Sequence, residues 1–194
     1  MQTVPNAKLY RSYADLAAAQ VEGEDYRVVV VPRATSRAAI VPPHGGSIEA
    51  HTSSIARQIA GTDLNLYLLE GTRLAGNYRA LHLTGHGFDE ARCLMLLSTC
   101  DEVVTIHGCG LKRSRVLLGG LDETLKTRLH DAFLEVGLES ELGGHSFPGR
   151  EPHNICNMGA TRAGVQLELT MAFRQSAAQT HALATIVRTV LGAA

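Results

Sequence analysis

Val41-Pro42-Pro43-His44-Gly45-Gly46-Ser47-Ile48-Glu49 runs from an apparent strand, across a glycine turn, into an apparent helix. Upstream, Tyr26 to Val31 and Ala38 to Val41 are apolar runs rich in β-branched residues, the pattern of buried strands. Downstream, Ile48, Ile55 and Ile59 recur at helical spacing, and Gly61 closes the pattern, so Glu49 to Ala60 is expected to be a helix. A strand–turn–helix unit of this kind is the repeating piece of an α/β sheet. The turn also sets an imidazole and a carboxylate five residues apart, and a buried strand needs neither. A catalytic zinc takes three protein ligands and leaves a fourth position for water, and two histidines with one glutamate form one such set. His44 would be held by the end of the strand. Glu49 would project from the first helical turn, where a carboxylate also suits the helix dipole. The plainer alternative is a loop histidine beside a first-turn acid.

The rest of the chain repeats the alternation. Tyr13 to Val21 reads as a helix capped by Ser12. Leu64 to Leu69 and Ala80 to Leu83 read as strands. Glu90 to Thr99 reads as a helix with Asp89 as its N-cap, Val103 to Ile106 as a buried strand, and Arg115 to Leu118 as the next. Asp122 to Val136 is an amphipathic helix. Leu142 to Gly159 is loop-like, rich in Gly, Pro and Asn. Val165 to Leu169 reads as a strand, and Met171 to Leu191 as one long helix. The expected fold class is α/β, with three layers: a mixed, mostly parallel sheet carrying helices on both faces, in a single domain over 1–194. In such sheets sites form where strands run out into loops at their carboxyl ends, and both His44 and His107 fall just after an expected strand.

Bulk properties narrow the function classes. The 194 residues suit one domain, and the 45% apolar fraction is ordinary for a globular chain. A formal charge of −1 gives no electrostatic case for nucleic acid or an anionic membrane. No apolar run approaches the ~20 residues of a membrane span, and Met1 to Arg11 lacks the apolar core of a secretory signal. Cys93, Cys100, Cys109 and Cys156 form no CxxC pair, so the expectation is buried thiols in a reducing cytoplasm. A monomer is expected.

Polar residues within or beside apolar strands are the candidates for chemistry. His107 follows Val103-Val104-Thr105-Ile106 and precedes Gly108-Cys109-Gly110, which leave space around it, so it is the natural third ligand. Cys109 is a softer alternative, more simply a buried thiol. In Gly164-Val165-Gln166-Leu167-Glu168-Leu169-Thr170, alternation puts Gln166, Glu168 and Thr170 on one face. That face is either a solvent-facing edge or the wall of a cleft. Beside a metal, Glu168 becomes the candidate general base. In the Leu81 to Asp89 cluster, His82 reads as a strand residue with no chemical role, whereas His86 and Asp89 are candidates to line the site. Asn154 and Asn157 are candidate donors to a substrate, the alternative being local turn-making. Arg162 and Arg174 are candidate partners for a substrate carboxylate. No G-x-S-x-G elbow is present, which weakens a serine hydrolase reading.

Five motifs in order, His44-Gly-Gly-Ser-Ile-Glu49, Leu83-Thr84 to Phe88-Asp89, Ile106-His107-Gly108, Asn154-Ile155-Cys156-Asn157 and Gly164 to Leu169, together resemble the poly-γ-glutamate hydrolase family of bacteriophages and bacilli. The resemblance spans about Tyr26 to Arg174. It implies a fold similar to the zinc carboxypeptidases, Zn2+ held by His44, Glu49 and His107, and Glu168 as catalytic glutamate. Met158 stands where many relatives would carry a basic residue, so the contact to a substrate carboxylate is either lost or taken over by Arg162. The implied activity is cleavage of γ-glutamyl amides in poly-γ-glutamate. The alternatives are a zinc amidohydrolase or carboxypeptidase for small substrates (an N-acyl amino acid or a γ-glutamyl peptide), or a non-catalytic phage-related accessory protein. Cytoplasmic residence is expected, with release by host lysis if the chain is phage-derived.

Overall fold

The computed structural model describes residues 10–193. Met1 to Arg11, expected to lack a secretory signal, therefore lies almost wholly outside the described residues. Alternating apolar residues build strands β1 (Tyr26–Val31), β2 (Ala38–Val41), β4 (Asn65–Gly71), β5 (Glu102–Cys109), β6 (Val116–Gly120) and β8 (Val165–Thr170). Two-residue strands β3 (Gly45–Gly46) and β7 (Ser140–Glu141) complete one sheet in the order β1-β4-β2-β5-β8-β6-β7, with β3 pairing β4. The β4-β2, β2-β5 and β5-β8 pairs are parallel, while β1 on β4 and β6 on β8 are antiparallel. The sheet is therefore mixed and mostly parallel, as expected.

Strand alternation sorts the apolar side chains into two cores. Ile40, Leu66, Leu68, Val104, Ile106 and Leu167 point to a core covered by helices α2 (Thr52–Ala60), α5 (Glu123–Glu135) and α7 (Ala177–Val190). Ala39, Val41, Tyr67, Leu69 and Val103 point the other way, toward α1 (Tyr13–Ala19), α3 (Asn77–Leu81) and α4 (Ala91–Leu97). Each fully buried Leu, Ile, Val or Phe contributes ~1.5–3 kcal/mol, so helices are needed on both faces. On the second face the apolar residues run out at the carboxyl ends of β5 and β8, where His107, Gln166 and Glu168 stand instead.

Four local expectations are corrected. Ala80 to Leu83 is no strand: Asn77–Leu81 is the short helix α3, whose apolar Leu81 and Leu83 merely mimic alternation. Helix α2 starts at Thr52, after His51 in the left-handed region (φ 75), because residues 45–46 pair with β4 before the chain turns. Glu49 thus precedes the helix and gains nothing from its first turn. Helix α4 is capped by Glu90, which accepts from Cys93 N–H, while Asp89 accepts from Tyr13 N–H. The long C-terminal helix is two, α6 (Met171–Gln175) and α7, broken at Ser176, whose side chain caps α7. All four cysteines are free and buried. No helix among the described residues is long and apolar enough to cross a membrane.

Candidate metal and active site

The β2–α2 connection delivers the first two groups. His44 follows β2, and its carbonyl accepts from Glu49 N–H at 2.9 Å, closing a tight turn that brings both side chains to the same side. Gly46 makes the turn possible: its φ is 61°, and a Cβ there would lie 2.6 Å from Gly71 O. His44 Nε2 donates to Leu83 O, which leaves Nδ1 as a bare lone pair. That atom lies 3.2 Å from Glu49 Oε1 and 3.2 Å from His107 Nδ1. The other Glu49 oxygen, Oε2, accepts Gly108 N–H at 2.8 Å, which aims Oε1 at the histidines.

His107 lies within β5 rather than after it, in register with Glu168 on β8, so their side chains share one face of the sheet. Glu168 is 6% exposed on a central strand, which decides its setting: it is a cleft wall and not a solvent-facing edge. His82, given no role on sequence grounds, also belongs here. Its ring stacks on His44 with centroids 4.1 Å apart, and its Nε2 lies 3.4 Å from Glu49 Oε1. Tyr78, one helical turn earlier, lies over His82 with centroids 4.5 Å apart. Donor atoms of His44, Glu49 and His82 fall within 4.8 Å of one another, and His107 Nδ1 lies beside His44 Nδ1. The i,i+4 spacing of Tyr78 and His82 was the available signal, hidden by a strand-like pattern.

Burial would push the Glu49 carboxyl up, but the charge and hydrogen bonding of His44, with help from His82 and His107, hold it well below the usual carboxylate range. Burial, reinforced by His44, pushes His107 down to about 3, so its imidazole is neutral near pH 7. His107 Nε2 is also buried with no hydrogen-bond partner. An ionised Glu49 carboxylate beside a neutral His107, with His44 Nδ1 turned toward both and His107 Nε2 left over, forms a donor-rich cluster without a cationic side chain among its ligand atoms. A divalent cation supplies the positive charge, so the residues present fit a zinc ion. Burial, then the Glu49 charge, raises Glu168 to about 8, against the opposing pull of Arg174.

These groups floor a cleft of about 720 Å³, within the usual size of a ligand site. His86 and Asn154 line it, and Arg174 is the only lysine or arginine among its described lining residues. Arg174 Nε donates to Leu169 O at 3.1 Å and Nη1 donates to Ala50 O, which fixes the guanidinium beside Gly108. Two expected substrate contacts are corrected. Arg162 does not line the cleft; it is exposed, with φ 57, and its Nη1 lies 3.8 Å from Met158 Sδ. Asn157 is fully buried outside the cleft lining, and its amide is spent on Leu121 N–H, Gly164 N–H, Gly149 O and Glu151 O. Asp89 does not line the cleft either.

Comparison with known proteins places the chain in a class. The family model for poly-γ-glutamate hydrolase matches residues 10–189, and the chain belongs to that family. Among curated relatives, the SPbeta prophage-derived protein YoqZ of Bacillus subtilis is 34% identical over 76% of this chain and 54% of its own length. Protein YndL of the same organism is 31% identical over 87% of this chain and 66% of its own. The chain therefore spans between about half and two thirds of these two relatives. A solved bacteriophage poly-γ-glutamate hydrolase superposes with a TM-score of 0.88 at 27% identity, covering 95% of this chain and 96% of that one. A zinc-free apo form of YndL gives 0.86 at 27% identity, covering 95% and 98%. The fold alone is also shared with a putative metallopeptidase of Shewanella baltica, with a TM-score of 0.52 at 13% identity, covering 85% of this chain and 80% of that one.

Proposed function

We propose that this chain hydrolyses γ-glutamyl amide bonds of poly-γ-glutamate, with zinc held by His44, Glu49 and His107 and with Glu168 as general base and then general acid. The observation that carries the reading is the meeting of these side chains, far apart in sequence, on the floor of the cleft, in a member of a hydrolase family. Zinc, when bound, supplies acidification of water toward pKa ~7 and polarisation of the scissile carbonyl.

The chain's own residues do the rest. The Leu83 carbonyl and Gly108 N–H orient His44 Nδ1 and Glu49 Oε1 toward one another, 3.2 Å apart. Glu168 takes a proton from the attacking water and returns it to the leaving nitrogen. Its raised pKa suits the second task, and a nearby dication opposes the rise enough to suit the first. Arg174 is placed to hold the α-carboxylate that each γ-linked residue carries, or the developing oxyanion. His86, exposed at the cleft wall, is placed for a second polar contact.

A cleft with one guanidinium holds one carboxylate firmly, not a run of them. That observation favours, as a second reading, a small γ-glutamyl peptide or N-acyl amino acid as substrate. Digestion of poly-γ-glutamate and of γ-glutamyl dipeptides by zinc-loaded protein, followed by sizing of products, tests both. Chain fragments support polymer cleavage, dipeptide turnover alone supports the second reading, and no turnover of either refutes both.

A further inference from the structure

We propose that Gln166 is a positioning residue that confines the proton handled by Glu168 to a single carboxylate oxygen, Oε2. The inference rests on the reading of Glu168 as the general base. A carboxyl group buried in a cleft wall can otherwise take its proton on either oxygen and turn about its last torsion, and only one arrangement faces the reacting atoms.

A chain of buried amides removes that freedom, and its direction is set by the backbone. Cys156 N–H donates to Asn154 Oδ1 at 3.2 Å. A backbone N–H has no acceptor form, so the Asn154 amide has one orientation, with Nδ2 turned away from Cys156. Asn154 Nδ2 donates to Gln166 Oε1 at 3.1 Å. The Gln166 amide is thereby oriented as well, and its Nε2 donates to Glu168 Oε1 at 3.1 Å. Asn154 and Gln166 are each 5% exposed, so water does not compete for these bonds. Glu168 Oε1 always faces a donor. It accepts whether the carboxyl is ionised or neutral, and the mobile proton resides on Oε2. The pairing is built into the strand: Gln166 and Glu168 are two apart on β8, on the face that floors the cleft. The same bonds hold the Asn154 amide in place where it lines the cleft, with a second N–H and a second lone pair remaining.

Two single variants reach the same bond from different elements. Gln166→Met keeps the side chain's length and removes the donor. Asn154→Asp keeps the acceptor for Cys156 N–H and turns a carboxylate oxygen on Gln166 Oε1, which forces the Gln166 amide to reverse without touching the strand. With zinc-loaded full chain and poly-γ-glutamate, each should lower kcat by ~10–100-fold, the range for groups that orient others. KM should change less than about threefold, and zinc content and thermal midpoint should stay near wild type. The double variant should be no slower than Gln166→Met alone, since both act through one bond. Wild-type kcat in Gln166→Met, or losses that multiply in the double variant, would overturn the proposal. Glu168→Gln in the same assay separates the two levels. If Glu168→Gln stays active, the general-base reading falls and takes the positioning role with it. If Glu168→Gln is inactive and Gln166→Met is not, only the positioning role falls.

Discussion

An amide has nearly the shape of the Glu168 carboxyl but cannot take up and release a proton near neutral pH, so Glu168→Gln separates its chemistry from its packing. The variant should bind zinc as wild type does and lose between ~10²- and 10⁴-fold in kcat, read from polymer cleavage beside elemental analysis. Activity within tenfold of wild type would remove Glu168 from the base role. The same substitution has a consequence for stability. With chelator present, Glu168 titrates at about 8 in the folded chain and near ~4.3 unfolded. Between those values the folded form holds a proton that the unfolded form has released, so stability falls as pH rises through the window. Below it both forms are protonated and the effect vanishes. In urea melts with chelator, the advantage of Glu168→Gln over wild type should widen from about pH 5 to about pH 8 and then level off. A gap that does not change with pH would contradict the raised pKa. Residues of this kind were legible in the sequence because a polar side chain on an apolar strand has no packing reason to be there. Arg162 and Arg174 were not separable that way. Their difference lies in where the backbone turns at φ 57 before β8 and in the carbonyls of Leu169 and Ala50 that hold Arg174, and neither has a local sequence mark.

Elements decide whether those residues meet. Strands β1, β2, β4, β5, β6 and β8 were readable because buried β-branched runs have few alternatives. The short pieces were not. Helix α3 is five residues long and its Leu81-His82-Leu83 alternation imitates a strand, which concealed the Tyr78–His82–His44 stack. Strand β3 is two glycines defined only by pairing with β4, so Glu49 was placed a turn too early in a helix. At this scale Gly108 is the informative position. A Cβ there would lie 2.5 Å from Arg174 Cζ, in the guanidinium that the carbonyls of Leu169 and Ala50 hold. Gly108→Ala should therefore displace the guanidinium and strain its bonds to Leu169 O and Ala50 O, at a cost of about 1.5–3 kcal/mol of folding stability. A charged hydrogen bond is worth ~1.5–3 kcal/mol, so KM should rise about tenfold or more in steady-state assays. An unchanged KM would take Arg174 out of substrate binding.

Over the whole molecule, the sheet carries the candidate ligands from separate places: His44 and Glu49 between β2 and α2, and His107 within β5. A cation joining them binds the folded chain and not the unfolded one, so it adds RT ln(1 + [Zn]/Kd), or ~4 kcal/mol at a thousandfold excess over Kd. For a domain of this size that amounts to a rise in Tm on the order of 10 °C. Calorimetry with zinc and with chelator should show it, and coincident melts would argue against a cation at this site. The two-faced core and the site at the strands' carboxyl ends were both implied by strand–helix alternation. The choice of third ligand was not settled by topology, because His82 and His107 approach His44 from different sides.

That choice is the centre of the matter, and zinc content per chain measures it most directly. Protein purified without chelator should carry one zinc in wild type and in His82→Ala, and none in His44→Ala or His107→Ala. Zinc retained in His107→Ala and lost in His82→Ala would contradict the assignment of His44, Glu49 and His107.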